Sequence, residues 1–211
     1  MIHFDHDLSR NENNIYVACS GGIDSIAILH FLKKKNIKAF HFNHKFREQN
    51  DHMESSVRRF TDDFNIPLEV RSRKETDKIK EGDSIEAKAR EWRLHAINEI
   101  GGTFIMCHHL DDCVESYLMN CFNGHPERKP IPKETRLENA KLIRPILYTS
   151  KQDLEEYVEK NDLGKYIVED ETNTDTSYRR NAIRLSIIPT ISKEYKGMRK
   201  VVKKFMKRKG I

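Results

Sequence analysis

The amino-acid sequence predicts an α/β fold: a doubly wound parallel sheet with helices on both faces and a helical C-terminal extension. Short apolar runs alternate with helical patterns, and the first run stops at a glycine pair that opens a helix. Polar residues follow the ends of three of these runs. Alternating strands and helices are typical of parallel sheets, which bind ligands at the carboxyl ends of their strands.

The individual elements are predicted from apolar runs and from apolar spacing. A short run that ends in a glycine turn is typical of a buried parallel strand, and apolar residues three and four apart are typical of a helix. The predicted strands are residues 14–19, 38–43, 66–70 and 103–107, and the predicted helices are residues 25–35, 51–64, 84–100 and 111–122.

The helix at 84–100 carries a stripe of apolar side chains that predicts its buried face. The glycine pair at 101–102 predicts where it ends. The stripe comprises Ile85, Ala89, Trp92, Ala96 and Ile97.

Two domains are predicted from the change of pattern along the chain. Residues 1–145 are assigned to the α/β domain, and residues 146–211 to a helical extension with a basic tail. The polar, proline-bearing stretch at 123–140 is expected to be a mobile surface loop. A helix is predicted at 151–160, and an acidic turn at 169–177.

The composition indicates a globular protein with a mildly basic charge. The chain has 211 residues, of which 37% are hydrophobic, and its formal net charge is +5. This charge is compatible with nucleic-acid binding but does not establish it. The run at 193–209, rich in Lys and Arg, is predicted to be a solvated helix, and contact with an RNA backbone is the alternative.

Cysteine usage and hydropathy exclude two classes of protein. The four cysteines are too few and too irregularly spaced for a disulfide scaffold, and no C-x-x-C pair supports a structural zinc or iron–sulfur site. The N-terminus has no apolar signal core, and no stretch approaches a membrane span. We therefore expect a cytoplasmic protein with no membrane partner, whose oligomeric state the sequence does not indicate.

The loop at residues 20–25 is the first candidate functional site. Small residues let backbone N–H groups approach phosphate oxygens, and the helix N-terminus behind them favours negative charge. A carboxylate at Asp24 is useful there when Mg²⁺ lies between it and the phosphates. The alternative is a tight turn in which Asp24 caps the helix. No G-K-[ST] sequence occurs, so a Walker loop is disfavoured. The phosphate-binding residues are expected to be Ser20, Gly21, Gly22, Ile23, Asp24 and Ser25.

The sequence of this loop resembles the signature of the N-type ATP pyrophosphatases, which cleave ATP between its α- and β-phosphates and adenylate a carbonyl oxygen. Further segments resemble the tRNA(Ile)-lysidine synthetases of that group. Lys45-Phe46 replaces their usual Gly-Leu, and Ser116 replaces their usual Thr. The segments are HKFR at 44–47, EAKAREWR at 86–93, HHLDDCVES at 108–116, EDETN at 169–173 and YRRNAIR at 178–184, followed by Pro189.

The resemblance implies a two-step reaction on the wobble cytidine of a tRNA(Ile) with a CAU anticodon. ATP, with Mg²⁺, would adenylate the C2 carbonyl oxygen of the base, and the ε-amine of L-lysine would displace AMP. Two interpretations stay open beside it: another ATP pyrophosphatase, such as a tRNA thiolase or a small-molecule amidating adenylase, and a catalytically silent RNA-binding relative. Family members usually continue into C-terminal domains, so we expect either a fragment or a minimal enzyme.

The chemistry of this reaction assigns roles to charged residues. Cations stabilise the charge that develops on the α-phosphate, and Arg90, Arg93 and His44 are the candidates, His44 as an ATP contact. Carboxylates bind and orient an ammonium group, and Asp112 and Glu115 lie three apart on one helical face. These two are assigned to lysine binding. The catalytic set is Asp24, Arg90, Arg93, Asp111, Asp112 and Glu115.

Other polar residues have more than one explanation. Asp111 is a candidate for metal binding or orientation, although an acidic first turn of a capped helix would explain the same run of carboxylates. Arg180 and Arg184 are four apart and share a helix face that could reach tRNA phosphates or the nucleotide. Asn181 is assigned with them to tRNA binding, and Asn173 to a turn.

Overall fold

Six short strands form one sheet, and four of them are the strands predicted from apolar runs. The computed structural model describes residues 1–8, 14–74, 76–169, 174–176 and 178–211. The strands are β1 (Ile15–Ala18), β2 (Lys38–Asn43), β3 (Leu68–Ser72), β4 (Gly102–Ile105), β5 (Glu134–Arg136) and β6 (Ala140–Ile143). Their order is β3-β2-β1-β4-β6-β5, and every pair is parallel except β5 with β6. The predicted fold class is confirmed.

The edge formed by β5 and β6 is where the prediction of loops fails. The stretch at 123–140 is not a loop throughout, because its last part contains β5 and the first residue of β6. β5 has three residues, of which Glu134 and Arg136 are exposed. A short, charged strand at a sheet edge has too little apolar alternation to be recognised from the sequence.

The five helices predicted between residues 25 and 160 are confirmed, with bounds that differ by a few residues at their ends. A 3₁₀ turn spans Gly164–Tyr166, and a π-helical segment spans Ile183–Ile187. The α-helices are α1 (Ile23–Phe31), α2 (Glu48–Asp63), α3 (Ile85–Ile100), α4 (Leu110–Phe122), α5 (Lys151–Lys160), α6 (Arg179–Ala182), α7 (Ile188–Glu194) and α8 (Met198–Arg208). No helix in the described ranges is long and apolar enough to cross a membrane.

Helices cover both faces of the sheet because successive strand residues point to opposite faces. Val17 and Ile105 point into a core that contains side chains of α1, α2 and α5. Tyr16 and Phe104, one position earlier in each strand, point into a second core with side chains of α3. Both faces are therefore apolar, which explains why the central strands read as continuous apolar runs.

The predicted apolar stripe of α3 is buried only at its C-terminal end. Ala96 and Ile97 belong to the core, whereas Ile85 is 51% exposed. The first turn of α3 lies outside the core, so the expectation for Ile85 is wrong. Apolar spacing identifies the face of a helix that packs, but it does not indicate how much of the helix length is covered by the core.

The basic run at 193–209 is not one solvated helix. It contains the end of α7 and all of α8, and α8 packs against α4. Val202 and Met206 are fully buried in a third core that they share with Leu110 and Val114. Two apolar residues four apart provide this buried face among many lysines. The predicted domain division at residue 145 stays a prediction, since α5 contributes to the first core and α8 to the third.

Candidate active site

The glycine loop follows β1 and opens α1. Gly21 has φ +90°, a backbone conformation that residues with a Cβ atom rarely adopt, so a larger residue is disfavoured there. Ser25 Oγ donates to the Gly22 carbonyl at 2.9 Å and accepts from the Ser20 N–H at 3.2 Å. The serine hydroxyls thus hold the loop shape. Asp24 does not cap α1, because the N-cap is Gly22 and has no side-chain cap bond.

The loop lies at the point where the strand order reverses. From β1 the chain proceeds outward through β2 and β3, and then returns to place β4 on the other side of β1. The connections after β1 and β4 therefore leave the sheet in different directions and open a crevice at its carboxyl edge. The loop after β4 leads through His108 and His109 into α4. The crevice is where ligands bind in sheets of this kind.

Asp24 lies in this crevice and contacts two basic side chains. Its Oδ1 lies 2.7 Å from Lys151 Nζ, at the start of α5, and 3.6 Å from His109 Nε2. Burial alone would raise the pKa of Asp24, but His109 and the Lys151 ammonium hold it at about 2. Asp24 is therefore ionised throughout the physiological range. No local pattern in the sequence pointed to Lys151.

His109 is the N-cap of α4 and connects three carboxylates. Its Nδ1 accepts from the backbone N–H of Asp111 at 3.2 Å, and the backbone N–H of His109 donates to Asp112 Oδ2 at 2.8 Å. Its Nε2 lies between Asp24 and Asp112, at 3.6 and 3.5 Å. Burial lowers the pKa of His109, but these two carboxylates outweigh it and raise the pKa. The cap bond opposes protonation, since it uses Nδ1 as the acceptor.

Asp112 and Glu115 form, with Arg180 and Arg184, what we call the acidic centre. Glu115 is 1% exposed. Arg184 donates to both of its oxygens, at 2.6 and 3.0 Å, and Arg180 Nε donates to it at 2.7 Å. Arg180 Nη2 also donates to Asp112 at 2.9 Å. Two carboxylates and two guanidiniums balance each other, and the hydrogen bond to Glu115 raises the pKa of Arg184.

Asp111 points away from this centre and joins two other elements. It accepts two bonds from Arg199 of α8, at 2.8 and 2.6 Å, and one from the backbone N–H of Lys151 at 2.8 Å. Its oxygens are thus used to hold α5 and α8 against the start of α4. Arg199 is a further residue that sequence reasoning missed.

A second group of charges, the cationic cluster, comprises Arg90, Arg93, Arg144 and His108. Arg144 directly follows β6 and is 4% exposed, His108 follows the neighbouring β4, and α3 contributes the other two. Arg144 Nη1 donates to the Pro132 carbonyl at 2.9 Å and to Thr135 Oγ1 at 3.0 Å. Both acceptors are neutral. No local pattern in the sequence indicated a role for Arg144.

Residues 2–191 match the model of the PP-loop domain family. The chain belongs to that family. Curated relatives include a tRNA(Ile)-lysidine synthase of Borreliella burgdorferi, 34% identical over 93% of this chain and 47% of that protein. A bifunctional protein TilS/HprT of Listeria innocua is 32% identical over 95% of this chain and 33% of that protein. The chain spans half or less of the length of these relatives.

Solved PP-loop structures confirm the fold. A U34-tRNA thiolase NcsA from Methanococcus maripaludis has a TM-score of 0.78 at 14% identity, covering 98% of this chain and 74% of that chain. An NH₃-dependent NAD synthetase from Campylobacter jejuni has a TM-score of 0.50 at 12% identity, covering 95% of this chain and 86% of that chain. At these identities the likeness concerns the fold alone.

Asp24 of the PP-loop fits a magnesium ion that is held mainly by phosphates. Within the described part of the chain, no group of three or more His, Cys, Asp or Glu side chains is arranged to hold a metal. Mg²⁺ is commonly held through one or two carboxylates together with substrate phosphates. Asp24 is ionised, and its contacts with Lys151 and His109 are both at Oδ1, so it suits that role. Its use as a metal ligand stays a prediction.

Three further predicted residues have other surroundings or are not described. His44 follows β2 and stacks on the ring of Phe46, at 5.8 Å between ring centroids. Asn181 donates to the carbonyl of Asp175 at 2.9 Å. Asn173 lies outside the described residues. The PP-loop fold thus brings together Asp24, Asp112, Glu115, Arg180 and Arg184, and their assigned roles stay predictions.

Proposed function

We propose that this chain attaches L-lysine to C2 of the wobble cytidine of a tRNA(Ile) with a CAU anticodon, using ATP to adenylate the base first. The products would be lysidine, AMP and pyrophosphate. Membership of the PP-loop family supports the use of ATP, and the names of the curated relatives support the tRNA reaction. The observation that carries the proposal is the pair of buried carboxylates, Asp112 and Glu115, across the crevice from the PP-loop.

The first step requires that the triphosphate be oriented with its α-phosphate toward the base. The PP-loop and the N-terminus of α1 would bind the pyrophosphate portion through backbone N–H groups. Mg²⁺, held through Asp24, would neutralise phosphate charge when bound. Lys151 lies beside Asp24, 2.7 Å away, so an ammonium group is close to the phosphates as well. Attack of the C2 oxygen on the α-phosphate would form the adenylated base and release pyrophosphate.

The second step requires that a lysine be held by its charged groups and presented as a free amine. Asp112 and Glu115 are suited to an ammonium group because both are buried and accept only charged or backbone donors. Arg180 and Arg184 hold the same oxygens, so lysine would bind by exchange with at least one guanidinium. The released guanidinium would be available for a phosphate. The amine would then attack C2, and AMP would leave.

The thiolase alternative is the less favoured one on the chemistry of the cysteines. Cys19 and Cys107 are the two cysteines nearest the PP-loop, and burial raises the pKa of both thiols. A cysteine that transfers sulfur needs thiolate character and hence a lowered pKa. The likeness to a U34-tRNA thiolase concerns the fold and gives no support to that activity.

Lysine incorporation tests the proposal directly. The chain is incubated with ATP, Mg²⁺, labelled lysine and transcripts of tRNA(Ile) that carry either cytidine or uridine at the wobble position. We expect label only in the cytidine transcript, with one AMP formed for each lysine. Incorporation that ignores the wobble base, or AMP formation that needs no RNA, would refute it.

Two variants separate the steps. Asp24→Asn should abolish AMP formation and therefore both steps, because it removes the carboxylate at the phosphates. Glu115→Gln should still release pyrophosphate from ATP and tRNA but should lose lysine transfer. Glu138→Gln, an exposed residue at the turn between β5 and β6, is the matched control and should change neither. The reverse pattern for Asp24 and Glu115 would refute the roles assigned to them.

A further inference from the structure

Within the cationic cluster, no carboxylate of the described residues acts on Arg93 or Arg144, whereas Asp112 acts on His108. The Nε atoms of Arg93 and Arg144 and Nδ1 of His108 are buried, and each is without a hydrogen-bond partner among the residues that the structure describes. The two acceptors that Arg144 does have are a carbonyl and a hydroxyl. A buried charge is costly unless an opposite charge compensates it. Cations that are buried without a counter-charge indicate a site for an anion.

The members of the cluster are close enough to act on one another. Burial lowers the pKa of Arg144 to about 10, and the charge of Arg90 adds to that effect. Arg90 likewise adds to the lowering of the pKa of Arg93 by burial. Burial lowers the pKa of His108 to about 4 although Asp112 raises it, and the charges of Arg144 and Arg93 are among the further causes that lower it. Mutual repulsion of this kind is relieved when an anion binds among the cations.

The position of Arg144 relative to the PP-loop defines which part of a ligand it would meet. β4 pairs with β1 on one side and with β6 on the other, and Arg144 follows Ile143, the residue paired with Ile105. Neighbouring strands are about 4.8 Å apart, so β6 ends roughly 10 Å from the strand that leads into the PP-loop. The cluster therefore lies at the same edge of the sheet as the PP-loop, two strands away, where it could meet a further phosphate of the same complex.

We propose that Arg144, together with Arg90 and Arg93, binds a phosphate group at the carboxyl end of β6. The carbonyl of Pro132 and the hydroxyl of Thr135 hold one side of its guanidinium, which leaves the other N–H groups for the ligand. The phosphate belongs either to the nucleotide, as its α-phosphate, or to the backbone of the RNA. This inference deepens the proposed function by adding Arg144 to the same crevice, and it rests on the PP-loop site and not on lysine as the nucleophile.

Binding measurements on Arg144→Gln test the inference. Three probes are titrated calorimetrically: α,β-methylene-ATP with Mg²⁺, adenosine as the ligand without phosphate, and a stem-loop RNA with the anticodon arm. We expect about tenfold weaker binding of one phosphate-bearing probe, equal to about 1.4 kcal/mol, and unchanged binding of adenosine. Weaker binding of the nucleotide alone assigns the phosphate to ATP, and weaker binding of the RNA alone assigns it to the RNA backbone.

Controls keep the test decisive. Arg136→Gln makes the same change of charge on the neighbouring strand, where the side chain is 79% exposed, and should leave all three affinities unchanged. If Arg144→Gln does not fold, Arg93→Gln takes its place, because no hydrogen bond or ion pair of Arg93 occurs among the described residues. Unchanged affinity of both phosphate probes in a folded variant, or no binding of either probe by the unmodified chain, overturns the inference.

The outcome is separable from that of the proposed function. A chain that binds the nucleotide through Arg144 but transfers no lysine would refute the proposed reaction and leave this site in place. A chain that transfers lysine with full binding in Arg144→Gln would do the opposite.

Discussion

The acidic centre and the cationic cluster lie at the same edge of the sheet, but only the first is balanced by the protein itself. Glu115 accepts three hydrogen bonds from two guanidiniums, which compensate the loss of hydration on burial. Arg144 and Arg93 are buried at Nε without a carboxylate partner within the described residues. A buried charge that is paired is thus compensated by the protein itself, and one that is not paired indicates a ligand.

The comparison also suggests an order of binding. An ammonium added to the acidic centre would meet two guanidiniums that already balance the carboxylates. An anion added to the cationic cluster would meet Arg93 and Arg144, whose Nε atoms have no hydrogen-bond partner among the described residues. The nucleotide should therefore bind readily by itself, and lysine should bind well only after phosphates offer Arg180 or Arg184 another partner.

The largest effect on stability is expected from Glu115→Ala. It leaves Arg180 and Arg184 partly buried without their main acceptor, so the free energy of unfolding should fall by about 3–5 kcal/mol. Urea unfolding followed by circular dichroism measures it, with Glu138→Ala as the exposed control. A loss below about 1 kcal/mol would mean that the centre is not held together by these ion pairs.

Acid sensitivity should depend on His108. Its pKa is about 4 in the folded chain and 6.5 ordinarily, so the unfolded chain binds more protons between these values. The stabilising contribution is complete above pH 6.5 and is lost as the pH falls toward 4, by up to about 3 kcal/mol. The measurement is the free energy of unfolding of the unmodified chain and of His108→Gln from pH 7.5 to 4.

Repeating the pH series in the presence of pyrophosphate tests whether an anion binds beside His108. An anion in the cationic cluster would raise the pKa of His108, and so should reduce the acid-dependent loss of the unmodified chain. The prediction would be contradicted if the free energy of unfolding fell equally with pH in the unmodified chain and in His108→Gln, with or without pyrophosphate.

Replacing an arginine by methionine should change the free energy of unfolding in opposite directions in the acidic centre and in the cationic cluster. Arg184→Met removes charged hydrogen bonds to Glu115 and should lower the free energy of unfolding by about 1.5–3 kcal/mol. Arg93→Met removes an unpaired cation and should raise it by about 1 kcal/mol in buffer without phosphate or sulfate. Thermal and urea unfolding measure both, with Arg136→Met as control. Changes of the same sign would refute the comparison.

The smallest effect on stability is expected from the ion pair between Arg199 and Asp111. Arg199 is 53% exposed and pairs with Asp111, so Arg199→Ala should cost only about 0.2–1 kcal/mol. This loss of stability should become smaller still as the salt concentration rises, because exposed ion pairs are screened. A larger cost that does not depend on salt would show that this pair, and not the apolar face of α8, holds that helix on α4.

Sequence reasoning succeeded where a feature is local. The turn from β1 into α1 is a contiguous stretch, and its residues suffice to predict a phosphate loop in a parallel sheet. It failed where a feature lacks a local pattern. β5 is too short to show alternation of apolar and polar residues. The buried face of α8 is not recognisable from the sequence, because its two buried residues are surrounded in the sequence by lysines. The pairs three and four apart on α4 and in the C-terminal segment were recognised, but not as partners of each other.

The sequence by itself determined the fold class, the PP-loop and the carboxylates of α4, because each depends on residues that are neighbours along the chain. The tertiary structure decided which charges meet. Arg180 reaches Glu115 across 65 residues, and Lys151 reaches Asp24 across 127. It also left Arg144 buried beside other cations. Such pairings depend on how helices pack against the sheet, and the identity of a single Arg or Lys carries no information about that packing.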